Sequence, residues 1–292
     1  MNFIAIDVET ANPDMGSICQ IGWVRYENDC INDEFTSYID PEDYFDPWNV
    51  AIHGITAEMV KQSPRFPQIH GDLSRILKDT VVICHTAFDR IALQQACGKY
   101  DLPPMECNWL DTARVARRTW EDFAWKGYGL ANVCAHIGYE FKHHNALDDA
   151  KAAARVLLAA SAKTGLDMAG WLKRVEQPIS PNCQQSVRRD QQSIRRDGNP
   201  EGDFYGEVIV FTGALEIPRR TAADMAAQIG CQVGSGVTQE TTLLVVGNQD
   251  ARRLAGNEKS SKHRKAEVLI SKGFPIRILT ESDFQELVKL SH

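Results

Sequence analysis

Between Gln177 and Asp203 the chain places Pro178, Pro181, Asn182, Gly198, Pro200 and Gly202 among glutamines and arginines, with almost no apolar side chain to anchor it. A stretch of that kind cannot bury enough surface to fold by itself. It therefore divides the 292 residues into two blocks, each of which has to build its own core. The composition shift places a first domain at 1–172, a linker at 173–203 and a second domain at 204–292. Inside the linker, Ser186-Val187-Arg188-Arg189-Asp190 is nearly repeated as Ser193-Ile194-Arg195-Arg196-Asp197. Its arginines could brush phosphates, but the composition favours a solvated tether.

Several function classes drop out early. No apolar run is long enough to cross a bilayer, and Met1-Asn2-Phe3-Ile4-Ala5-Ile6-Asp7 lacks the basic start and cleavage site of a secretory signal. A cytoplasmic protein with no membrane partner is expected. The eight cysteines are scattered without a Cys-x-x-Cys pair, so they read as reduced thiols and not as zinc ligands. A net charge of -7 provides no global positive field, and any nucleic-acid binding has to be local or metal-mediated.

In the first block, "FIAIDVE" predicts a strand, Ile18–Tyr26 and Ile31–Ile39 a hairpin about Glu27-Asn28-Asp29, and Val81–Cys84 a further strand. Helical periodicity covers Phe88–Cys97, Leu110–Thr119, Leu130–Ile137 and Ala146–Ser161. The block is mixed α/β. In the second block, strands are expected at Val208–Phe211, Thr242–Val246 and Pro275–Leu279, and helices at Thr221–Ile229, Lys265–Lys272 and Ser282–Leu290. Gly230, Gly247 and Gly273 punctuate them as terminators. That order describes a small three-layer α/β domain.

Side chains alternate along a strand, so Asp7 and Glu9 project from one face and Ile6 and Val8 from the other. Two adjacent carboxylates repel, and a hard cation such as Mg²⁺ or Mn²⁺ between them relieves the repulsion; two solvated acids at a strand end are the plainer alternative. In "HHNALDDAKAAARVLLAA", Asp149 shares a helical stripe with Ala153, Val156 and Ala160, whereas Asp148 shares one with Ala152 and Arg155. Asp149 is expected to face inward and Asp148 water. An inward aspartate is costly unless paired or metal-bound. His144, just before the helix, could reach a metal-bound water, and His143, one position further back, is expected to point outward. Asp89 in "ICHTAFDR" follows a strand and opens a helix, where alone it would be an ordinary cap. Arg114, Arg117 and Arg118 fall on one helix face, read as a solvated basic face with phosphate contact as the alternative.

Asp-x-Glu on a first strand, Asp89 after "HTAF", and His144-x-Ala146-x-x-Asp149-Ala150 together resemble the three motifs of the DEDDh exonucleases, the DnaQ-like group that includes the epsilon subunit of bacterial DNA polymerase III. "SICQIG" and "IHGIT" are similar to segments of that group. Two departures are visible: Thr10-Ala11-Asn12 stands where Thr-Thr-Gly is usual, and His85-Thr86-Ala87-Phe88-Asp89 is one residue shorter than the usual second motif. The resemblance implies a ribonuclease H-like fold and 3′–5′ hydrolysis with two Mg²⁺ or Mn²⁺ ions about 3.5–4 Å apart. It implies Asp7, Glu9, Asp89 and Asp149 as metal ligands, His144 as general base, and His53 and Phe88 as contacts to the terminal nucleotide. The implied partner is a nucleic-acid 3′ end, DNA by the epsilon resemblance. RNA is the alternative, because ribonuclease T and oligoribonuclease share the motifs. A non-catalytic adaptor is the rival reading, against which all five motif residues are in place.

The second block resembles a BRCT domain of the kind that ends bacterial NAD-dependent DNA ligases, through Phe211–Leu215, Arg219-Arg220, Ile229-Gly230, Thr242–Val246 and Lys262–Ala266. Cys231 replaces its usual second glycine and Phe284 its usual tryptophan. The resemblance implies a docking module for a protein partner or a DNA 5′-phosphate, with Thr212, Gly213 and Lys265 as phosphate contacts.

Overall fold

In a computed structural model that describes residues 1–179, 194–247, 259–274 and 276–291, the chain divides into two compact units, Met1–Cys183 and Gln184–His292. The first unit is built on β1 (Phe3–Thr10), β2 (Ile18–Glu27), β3 (Cys30–Tyr38), β4 (Val81–Cys84) and β5 (Asn108–Asp111). They form one mixed sheet in the order β3-β2-β1-β4-β5. β1 runs antiparallel to β2, β2 antiparallel to β3, and β4 parallel to both β1 and β5. The β2–β3 hairpin closes through Asn28 and Asp29, whose φ angles of 52° and 65° give the twist that a two-residue turn needs. Between the strands run α1 (Pro47–His53), α2 (Ala57–Val60), α3 (Phe66–Leu77) and α4 (Phe88–Lys99), and after β5 come α5 (Thr112–Thr119), α6 (Leu130–His136), α7 (Ala146–Thr164) and α8 (Met168–Val175).

The odd-numbered face of β1 carries both core and acidic residues. Phe3 and Ala5 belong to a core with Val24, Ile83, Leu110 and the buried sides of α5, α6 and α7. Asp7 and Glu9 continue that same face beyond the apolar core. α7 can lie close to the sheet because its buried stripe is made of small residues, Ala146, Ala150, Ala153 and Ala160, with Val156 and Leu157. Gly22, which pairs with Asp7 across the β1–β2 ladder, completes the approach: a Cβ there would collide with the backbone of Ala146 and Leu147. Asn145 caps α7 by accepting from the Asp148 N–H, and Gly165 ends it at φ 74°.

The second unit carries β6 (Val208–Thr212), α9 (Arg219–Gln228), β7 (Gln232–Gly234), β8 (Leu243–Val246), α10 (Ser261–Ile270), β9 (Arg277–Thr280) and α11 (Glu281–Leu290). Its sheet is parallel throughout, in the order β7-β6-β8-β9.

Four differences from the sequence reading are visible in the fold. The periodicity from Leu110 conceals a strand, since Asn108–Asp111 pairs with β4 and the helix starts only at Thr112, where Asp111 caps it by accepting from the Ala113 N–H. Helices α1, α2, α3 and α8 were not expected. The first unit also runs past Leu172, because α8 extends to Val175 and Arg118 donates to the carbonyl of Gln177. Finally, 194–203 is not tether. Val233 N–H donates to the Arg196 carbonyl at 2.9 Å, Asn199 N–H to Ala227 at 2.7 Å, and Phe204 N–H to Ile229 at 2.9 Å. The middle of the expected linker, 180–193, with the first copy of the near-repeat, lies outside the described residues. No helix among the described residues is long and apolar enough to cross a membrane.

Candidate metal centre

Three of the four expected carboxylates converge. Ligand oxygens of Asp7, Glu9 and Asp149 all lie within 4.8 Å of one another. Strand alternation sets the first two side by side, and the close seat of α7 on Gly22 delivers Asp149 from above. Asp149 is 5% exposed, as its helical stripe predicts, and Asp148 is only half-buried. The Oδ2 of Asp149 accepts from the Asn145 N–H at 3.1 Å, while its Oδ1 is buried without a hydrogen-bond partner. Burial first, and the charge of Asp148 to a lesser extent, push this carboxyl up to about 7, against the backbone N–H groups of His144 and Asn145, which pull it down. A buried carboxylate oxygen with no donor, facing two further carboxylates, fits a hard cation.

Asp89 stands beside the trio and not within it. It is buried, and its Oδ1 accepts at 3.0 Å from the N–H of Val8, the residue between Asp7 and Glu9. The cap reading is thereby replaced, for its bond crosses to β1 and does not close its own helix, whose cap residue Ala87 makes no side-chain bond. Phe88 is half-buried one residue earlier.

The histidines differ from expectation. His144 takes φ 64°, a left-handed conformation that histidine adopts more readily than most residues, and its Nε2 lies 2.8 Å from His143 Nδ1. His143 is exposed, as expected, yet its Nε2 lies 3.7 Å from Asp149 Oδ1 and its ring meets Phe141 edge-on. His53 is also corrected. Its Nδ1 accepts from the Ile55 N–H at 2.9 Å and its Nε2 lies 3.2 Å from the Thr10 carbonyl, so both ring nitrogens are engaged by backbone. The arginine face is corrected too. Arg117 is buried, with its Nε on the Ala124 carbonyl and its guanidinium over the Tyr128 ring, and Arg114 donates to Val175.

Gln20 escaped the sequence reading. It is buried, and its Oε1 accepts from the Ala146 N–H at 3.1 Å, meeting one of the unpaired donors at the start of α7. The only signal was its place inside "SICQIG".

In the second unit, Thr212 Oγ1 lies 2.8 Å from Ser260 Oγ at the cap of α10, and Gly213 follows at φ 76°. The helix lysine that reaches this strand end is Lys262, whose Nζ donates to the Phe211 carbonyl at 3.0 Å, beside Arg219 on the same carbonyl. Lys265 is exposed further along α10. One helical turn decides the difference, and the sequence shows two lysines without saying which turn faces the sheet. Burial, and then the Arg219 charge, lower the Lys262 ammonium below its ordinary value.

A family model described as Exonuclease (RNase_T) matches residues 4–157. The DNA polymerase III subunit epsilon of Treponema pallidum is 30% identical over 153 residues, covering 51% of this chain and 71% of that protein. The PolC-type DNA polymerase III of Thermotoga maritima is 29% identical over 160 residues, covering 53% of this chain and only 12% of its own length. Among solved structures, exonuclease X in complex with 5′ overhanging duplex DNA superposes with a TM-score of 0.48 at 21% identity, covering 59% of this chain and 98% of that one.

Proposed function

Because the chain belongs to the exonuclease family whose model spans residues 4–157, we propose that it is a 3′–5′ exonuclease hydrolysing phosphodiester bonds at nucleic-acid 3′ ends, DNA before RNA. The observation that carries this reading is the convergence of Asp7, Glu9 and Asp149, whose ligand oxygens lie within 4.8 Å of one another, with one Asp149 oxygen buried and without a hydrogen-bond partner. Those three carboxylates, with Asp89 alongside, would hold two divalent cations, Mg²⁺ or Mn²⁺, which supply positive charge to the phosphate and acidify the attacking water. His144 takes up the proton of that water, a task suited to imidazole, whose unperturbed pKa of about 6.5 lies close to working pH. DNA is put first because the epsilon relative is a DNA polymerase subunit.

The second unit is read as a BRCT module that targets the nuclease, an assignment supported by its parallel β7-β6-β8-β9 sheet and by Thr212-Gly213 at the end of β6. If it accepts a phosphate, Thr212, Gly213 and Lys262, not Lys265, are the contacts.

Incubation of the protein with 3′- and 5′-labelled single-stranded DNA, duplex DNA and RNA, with Mn²⁺ or with EDTA, tests the activity. Stepwise shortening from the 3′ end that EDTA abolishes is expected. Cleavage that persists in EDTA, or in Asp7→Ala, would overturn it, and preferential decay of RNA would move the substrate assignment.

A further inference from the structure

The ladder between β1 and β2 breaks at the candidate centre: Glu9 pairs with Gln20, but Thr10 pairs with Ile18, so the register shifts directly after Glu9. The extra residue is Cys19 on β2, and a bulge of this kind bends the strand and re-aims side chains beside it. The Thr10 carbonyl next to it is engaged from outside the sheet. Asn49 Nδ2 donates to it at 2.8 Å and to the Thr10 hydroxyl at 3.3 Å. His53 Nε2 lies 3.2 Å from the same carbonyl. Because His53 Nδ1 accepts from the Ile55 N–H, the ring's proton sits on Nε2 and that contact is a donated hydrogen bond.

Asn49 and His53 are four residues apart and so share one face of α1. α1 has no fully buried residue, although Trp48, Val50 and Ile52 are half-buried. Its polar attachments are the two side chains on Thr10 and the Asp46 N–H donating to the Ala11 carbonyl at 2.8 Å. A helix without a fully buried anchor is thus fastened, by a planar amide with two hydrogens, to the carbonyl of Thr10, the residue after Glu9.

We propose that Asn49 is a positioning residue which, with His53, clamps the Thr10 carbonyl at the bulge and thereby aims the Glu9 carboxylate at Asp7 and Asp149. The proposal rests on Glu9 being a cation ligand. Asn49 itself touches neither cation nor substrate; it acts through the backbone of the residue next to a ligand. Neither Asn49 nor the register shift is visible as a functional signal in the sequence, because the bond joins residues 39 positions apart.

The test measures Mn²⁺ binding to the full chain by titration calorimetry or by the free-Mn²⁺ resonance signal, without substrate. The wild type is compared with Asn49→Ala, with the similarly sized but donorless Asn49→Leu, and with Glu9→Gln. Both Asn49 variants are expected to weaken Mn²⁺ by about 10-fold, the lower end of the range for removing a support behind a ligand. They should lower kcat on a single-stranded 3′ end more than they change KM. Since α1 has no fully buried residue, melting temperatures should stay close to wild type. Mn²⁺ affinity within about 2-fold of wild type in both Asn49 variants, with Glu9→Gln weakening it, overturns the clamp and leaves the metal centre standing. Unchanged binding in Glu9→Gln removes Glu9 as a ligand, and the clamp with it. A large melting drop in both Asn49 variants would make the residue structural and also overturn the proposal.

Discussion

Asp148 and Asp149 are chemically identical neighbours, and only their helical phase separates them. Asp149 lies buried within the carboxylate trio, while Asp148 begins the solvent side of α7. Asp149→Asn should abolish nuclease activity and Asp148→Asn should change it by less than a few-fold; the reverse pattern would refute the phase. The Asp149 carboxyl, pushed from 3.8 to about 7 chiefly by burial, also gives a signed dependence on pH. The native state holds this proton more tightly than the unfolded chain, so the group's stabilising contribution is full below about 4 and is lost as the pH rises through 7. In buffer without divalent cation, the melting temperature of wild type relative to Asp149→Asn should therefore fall between pH 4.5 and 7.5. A flat difference would show that the carboxyl titrates normally. Among the histidines, His144→Ala should slow turnover by about 10²–10⁴-fold, the range for a lost general base. His143→Ala should have a smaller but clear effect, because its ring contacts both His144 and Asp149. Single-turnover rates at saturating Mn²⁺ separate the two, and an inert His143→Ala would show that the contacts are incidental.

The seating of α7 on the sheet is the element that makes the centre. It depends on a stripe of alanines and on Gly22 meeting the backbone of Ala146 and Leu147, with Gln20 bonded to the Ala146 N–H. Gly22→Ala adds one methyl where there is no room and no flexible side chain to yield. Overpacking of this kind costs about 1–3 kcal/mol, and here it must also lift the helix end that carries Asp149 away from Asp7. The expected outcome is a lowered melting temperature together with loss of activity that excess Mn²⁺ restores only in part. Normal activity in a destabilised Gly22→Ala would mean that the helix end tolerates the displacement.

Two units in one chain predict two separable stabilities. A 1–179 fragment contains every residue of the proposed centre and should retain metal-dependent nuclease activity; an inactive but folded fragment would show that the second unit is required. For the second unit, the folded strap matters. Fragments starting at 194 keep the backbone bonds of Arg196, Asn199 and Phe204 to Val233, Ala227 and Ile229, and a Cβ on Gly198 would collide with Gly230, so the strap lies against backbone. Fragments starting at 204 lose the bonds of Arg196 and Asn199, each worth about 0.5–1.5 kcal/mol. Urea denaturation should place the midpoint of 204–292 below that of 194–292, and equal midpoints would return those residues to the linker.

The sequence alone determined whatever depends on near neighbours. Alternation put Asp7 and Glu9 on one face of β1, helical phase turned Asp149 inward, and composition separated two cores, because each of these follows from periodicities of two or about 3.6 residues read within a short window. It misplaced features whose energetics are decided by contacts far along the chain. The strand at Asn108–Asp111 exists because β4 offers it a ladder, and Arg117 is buried because a carbonyl and an aromatic ring meet it there. His53 is engaged because the fold brings α1 to the carbonyl of Thr10, 43 positions earlier in the chain. In α10 it is Lys262 and not Lys265 that bonds the Phe211 carbonyl at the end of β6, because that turn of the helix faces the strand. Local periodicity says which side chains share a face; only the packed structure decides what that face meets, since a buried polar group is stabilised by its partner and not by its own sequence position.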